Sequence, residues 1–165
     1  MPYFLRKVRQ SVWDGGTTVD TAWWDEVKKY FSLKEQEPAW SLYEANTEED
    51  KRLLLAALAL QVQGKDPIDL LTVPDDLIRQ YGTVTKDGQG DTPLASANAL
   101  HVSLETDNYR LQNLAQCLRL QGTTAHRYKW KQDVLKAIRE TAQEPCTAET
   151  AEAAKAWRAK VLAAP

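Results

Sequence analysis

Between Leu53 and Val62 the chain reads LLLAALALQV, apolar on every side apart from Gln61. A helix with so little polar surface has no face to give to water, so it must lie at the centre of the molecule with other elements around it. The run is far shorter than the ~20 residues that cross a bilayer, so the burial has to come from protein. Its start is marked by Asn46 and Thr47, each followed three residues later by an acid, Glu49 or Asp50, the spacing of a capping box. Gly64 stands where a left-handed C-terminal cap is expected.

What could cover such a helix is read from the flanking segments. Tyr3 to Arg9 alternates apolar and charged residues and predicts a first strand, with Arg6, Lys7 and Arg9 as the wet side of an edge strand that resists unwanted pairing. Ala39 to Ala45 predicts a second strand with Trp40 and Leu42 on one face. Ile68 to Val73, between Pro67 and Pro74, predicts a buried third, and Val102 to Leu104 is either a short strand or the approach to a helix. Between the first two, Gly15-Gly16-Thr17-Thr18 has turn chemistry. A helix capped by Asp20 or Thr21 follows, in which Trp23 and Trp24 widen one apolar stripe with Val27 and Phe31, so both are expected in the core.

Farther on, Asp75 opens a turn or two of helix closed by Gly82, and Thr83 to Asp91 predicts a mobile surface loop. Thr92-Pro93 opens a short helix. Thr106 opens a helix striped by Leu111, Leu114, Ala115 and Leu118, and Gln132 to Ala142 another. Pro145 then precedes an alanine-rich tail helix, Thr147 to Ala163. The expected fold is α+β: a small two- or three-stranded sheet packed on a central apolar helix and followed by several helices. Residues 1–144 are expected to form the single domain and 145–165 a C-terminal helical extension.

With 165 residues and a net charge of −2, the chain exerts no global pull on nucleic acid or anionic membrane. Cys117 and Cys146 are too few for a disulfide framework, and the N-terminus lacks the apolar stretch of a signal peptide, so a cytoplasmic protein is expected. His101, Cys117, His126 and Cys146 are too scattered for structural zinc, and no metal or other cofactor is expected. Cys117, beside Leu118 on a striped helix, reads as a buried inert thiol. Glu26-Val27-Lys28 stands in the wrong order relative to Pro74-Asp75 for a metal-dependent nuclease, and Gly88-Gln89-Gly90 lacks the Gly-Lys-Ser/Thr of a phosphate loop. A small hydrolase centred on His101 or Cys117 is the remaining catalytic alternative.

The segment 126–139 is the nucleic-acid alternative. Arg127, Lys129 and Lys131 supply charge for phosphates, and Tyr128 and Trp130 supply rings for stacking. Six tryptophans exceed what a domain of this size needs. Trp13, in a Gly-rich turn, and Trp157, on the tail helix, are the hardest to bury and are expected to meet a partner, since Trp is enriched at interface centres.

Tyr3-Phe4-Leu5-Arg6-Lys7-Val8, Trp40-Ser41-Leu42-Tyr43-Glu44 before an acid-capped helix, Gly90-Asp91-Thr92-Pro93, and His101 followed by Leu111 and Leu114 together resemble one group of small prokaryotic proteins without an assigned activity. The resemblance covers residues 1 to 142. It implies no cofactor and no catalytic residue, and it marks Thr92 as a fixed turn and His101 as its packed, hydrogen-bonded neighbour. The function expected is that of a non-enzymatic component of a bacterial multi-gene system, toxin–antitoxin or antiviral defence, docking on another protein encoded nearby and not on a membrane.

Overall fold

The computed structural model describes residues 3–15, 19–35, 37–147 and 151–165. Its frame is a single six-stranded antiparallel sheet in the order β4-β5-β2-β1-β3-β6. The strands are β1 (Tyr3–Val8), β2 (Ala39–Glu44), β3 (Ile68–Pro74), β4 (Thr83–Thr85), β5 (His101–Glu105) and β6 (Ala125–Tyr128). The α+β class stands, but the small two- or three-stranded sheet does not: six strands replace it. Two of the additions are short edge strands. Thr83–Thr85 pairs with β5, in what reads as loop, and Ala125–Tyr128 pairs with β3, in what reads as a basic turn. Neither has the alternating apolar run that marks a strand in sequence.

β1 is no edge strand. It lies between β2 and β3, so Arg6 stands half-buried within the sheet and not on a border, while Lys7 on the other face stays exposed. Alternation then divides the apolar residues between the two faces. Phe4, Val8, Trp40, Leu42, Leu71, Val73, Val102 and Leu104 join one core cluster, under α1 (Gln10–Trp13), α2 (Thr21–Val27) and α6 (Asn108–Leu120). Leu5, Ile68 and Leu70 join a second cluster with α3 (Glu48–Val62), α5 (Ala95–Asn98), α7 (Leu135–Glu140) and α8 (Ala151–Ala163). A one-turn helix, α4 (Asp75–Ile78), adds Leu77 and Ile78 to the first.

α3 is the central helix that its composition demands, with Leu54 to Leu60 buried throughout. Thr47 and Asp50 exchange the reciprocal bonds of the capping box. The left-handed cap falls one residue earlier than the glycine: Gln63 takes φ 50°, its amide bonding the Ala59 carbonyl. α6 is capped by Asp107, which accepts from the Arg110 amide, and not by Thr106. Ala154 and Val161 bury α8 in the second cluster, so the tail helix is part of the core layer over α3.

Asp20 caps α2 through the Trp23 amide. Trp23 is buried and Trp24 half-buried against the same cluster. Trp13 is a correction: it is 0% exposed, inside the fold. The segment after β1 is itself a helical turn, which tips the ring beneath α2 at 5.5 Å from Trp23 and 5.4 Å from Phe31. Its indole N–H donates to the Thr123 carbonyl at 2.8 Å, so burial leaves no orphaned donor. Residues 16–18 of the expected turn and 148–150 of the expected tail helix lie outside the described residues.

Candidate functional site

The helices do not cover both faces evenly. On the α3 side, cross-strand pairing places Leu5 beside Tyr43 and Tyr43 beside His101. The next row sets Ser41 beside Ser103 and Ser103 beside Thr85. α3 seals Leu5 and the β3 side, whereas Ser41, Tyr43 and Ser103 stay half-exposed. They floor a cleft of about 1240 Å³ walled by Leu58 and Gln61 of α3 and by Asp87, Gln89 and Asp91 of the loop before α5.

That loop is clasped to the sheet. Asp87 accepts a hydrogen bond from His101 Nδ1–H on one carboxylate oxygen and one from the Ser103 hydroxyl on the other, each at 2.5 Å. The Gln89 amide donates to the same carboxylate at 3.1 Å, and the Gly88 amide to the His101 carbonyl at 3.2 Å. Burial pushes the Asp87 carboxyl up, but the bonds from His101, Ser103 and Gln89 outweigh it and hold the group at about 2. At the other end of the loop, the Thr92 amide and hydroxyl both donate to the Asn98 side-chain oxygen, at 2.8 and 2.6 Å, and Asn98 returns a bond to the Thr92 carbonyl. A carboxylate on Nδ1 fixes the imidazole orientation and leaves Nε2, which has no hydrogen-bond partner among the described residues, as the free nitrogen.

The far wall is cationic. β1 pairs with β3 along its whole length, from Tyr3–Pro74 to Val8–Asp69, but with β2 only at Phe4–Glu44 and Leu5–Tyr43. Beyond that point the β1–β2 ladder stops, and Arg6 fills the seam. Its Nη1 donates to the Ser41 carbonyl at 2.6 Å and its Nε to the Tyr30 carbonyl at 3.2 Å, with the guanidinium 4.9 Å above the Trp40 ring centre. Burial pulls Arg6 down to about 10, against Tyr43 and Glu37, which raise it. Burial also lowers Lys7 beside it. Tyr43 stands between the walls and is pushed up to about 12, by burial first and then by Asp91, with Arg6 opposing.

Of the residues singled out from sequence as partner-binding, nucleic-acid-binding or catalytic, His101 and Arg127 line the cleft and the others fall elsewhere. Trp157 is half-buried, edge-on to Trp130 at 6.1 Å. Arg127 grips Asp69 with two bonds of 2.8 and 2.9 Å. Tyr128 and Trp130 pack on the α3-side core, and the Lys129 amide caps the following π-helical turn (Trp130–Val134) through Asp133. Lys129 and Lys131 remain exposed. Cys117 packs on the opposite face of the sheet from His101, so the two do not meet. Among the described residues no group of three or more His, Cys, Asp or Glu is placed to hold a metal ion. No described helix is long and apolar enough to cross a membrane.

Sequence reasoning missed Asp87, Ser103, Ser41 and the seam at Arg6. One signal was present: Ser41 and Tyr43, like His101 and Ser103, are polar residues at every second position of strands whose other face is apolar. Only the pairing of β2 with β5 brings the two sets together. No family model, curated protein or solved structure matches this chain.

Proposed function

We propose that this protein acts by contact and without chemistry of its own: it docks on a partner protein through the cleft over the open half of the sheet. In this reading it is a cytoplasmic member of a bacterial multi-gene system, such as a toxin–antitoxin pair or an antiviral defence operon, and its partner is encoded beside it. One observation carries the reading. A recessed, polar stretch of interior strand lies between two walls, and among the described residues the cation at its edge is bonded only to carbonyls. Antiparallel sheets often leave one face to water, but such a face needs neither a clasped wall nor a buried guanidinium.

Ser103→Trp fills the floor of the cleft. Protein purified from its source cells should co-elute with a partner as wild type and lose it as Ser103→Trp, which should stay folded, with a cooperative melt, although it gives up the bond to Asp87. Tyr109→Ala on α6, at a side chain 75% exposed on the other face, should keep it. Association that survives Ser103→Trp would refute the docking reading.

The Asp87–His101 pair favours a second reading, a small hydrolase in which Nε2 activates water. Ser103 donates to Asp87 and not to His101, so the pair lacks the nucleophile–base bond of a serine hydrolase. Hydrolysis of simple esters or phosphodiesters that disappears in His101→Gln would favour this reading over docking.

A further inference from the structure

We infer that Arg6 is a carboxylate-recognition point: the cleft receives an extended segment of a partner protein, and an Asp or Glu side chain of that segment docks on the guanidinium. The inference rests on the docking reading and names the chemistry of the occupant. It starts from an imbalance. Arg6 lies on the core face of an interior strand, between Phe4 and Val8, where a charge is retained only if it is well paired. Its two described bonds go to neutral carbonyls, and Nη2 has no hydrogen-bond partner among the described residues. Glu37, the acid that bears on it, is engaged by Lys34 at 3.5 Å.

The bonds already made engage Nε and Nη1 and leave Nη2 to donate to an oxyanion, and carboxylate and phosphate are the acceptors a guanidinium prefers. Charge along the cleft decides between them. Lys7, Arg9 and Lys29 line it near Arg6, so one negative group is welcome there. Asp66, Asp87 and Asp91 line the same cleft, so a chain of phosphates entering it would meet acids as well as bases. A single carboxylate on an otherwise mixed polypeptide fits this pattern, and a nucleic-acid backbone does not.

The test follows the Arg6 Nε–Hε resonance of the intact protein while three probes are added: N-acetyl-Gly-Glu-Gly amide, inorganic phosphate, and a single-stranded oligonucleotide. The Glu peptide should move the resonance saturably, in the millimolar range expected for one anchoring group, and about tenfold more tightly than the same peptide with Gln. The other arginine resonances should drift without saturating. No saturable movement at Arg6, tighter binding of phosphate, or tighter and salt-sensitive binding of the oligonucleotide would each overturn the assignment. Arg6→Gln separates the two levels of the reading. If that variant is folded and still co-elutes with the partner, the carboxylate assignment falls and docking stands. If Ser103→Trp also keeps the partner, docking falls with it.

Discussion

Asp87 ties the loop before α5 to β5 through two donors, His101 and Ser103, and accepts a third bond from the Gln89 amide within the loop, and the tie has a pH signature. A carboxyl held at about 2 in the fold, against roughly 3.9 in an unfolded chain, adds stability above about pH 4. That contribution fades as pH falls towards 2, because the unfolded chain then binds the proton first. Melting temperatures measured from pH 5 to pH 2 should fall more steeply for wild type than for Asp87→Asn, which has no charge left to lose. Parallel curves would contradict the assignment. Asp69, lowered by Arg127 and the Gln10 amide despite its burial, titrates in the same direction in both proteins, so the difference isolates Asp87. Trp13 supplies the second test at this scale. Trp13→Ala should cost about 3–5 kcal/mol in chemical denaturation, as for other buried large aromatics, and Trp157→Ala about half of that. Equal losses would mean that Trp13 is no deeper than Trp157. Its burial was hidden in the sequence because the glycines after it read as an exposed turn, whereas the chain makes one helical turn first and folds the ring inward.

α3 was the most legible element, since composition alone placed it at the centre and its capping residues placed its start. Its end shows where local signals mislead. Gly64 invites the left-handed position, but the helix stops on Gln63, with φ 50°. A residue with a Cβ is strained there by roughly 1–2 kcal/mol, partly recovered as lower entropy loss than glycine on folding. Gln63→Gly should therefore raise stability by about 0.5 kcal/mol, whereas Thr47→Ala should lower it by about 1 kcal/mol by opening the capping box. A loss in Gln63→Gly would show that this side chain does more than end the helix. β4 and β6 were illegible for a different reason. Three or four residues with one inward apolar side chain, Val84 or Ala125, carry no period to read, and their neighbours define them as strands.

At the scale of the whole molecule, α1, α2 and α6 cover one face of the sheet except at the β1–β2 seam, where Arg6 and Tyr30 line the cleft, and the other face is only half covered; this asymmetry makes the cleft. Nothing in the local sequence announces it. Arg6 looks like a solvated charge until β1 is known to be an interior strand, and Ser41 and Ser103 look like the wet side of two unrelated strands until the ladder sets them side by side. The cleft is thus a product of topology, and the docking proposal predicts that a partner would be met on this surface and not on the other face. A photo-crosslinker tests this most directly: p-benzoylphenylalanine placed at Ser103 in one protein and at Tyr109 in another, both irradiated inside the source cells. The cleft account predicts a discrete protein adduct from position 103 and none from position 109. An adduct from position 109 alone, or the same adduct from both, would contradict it.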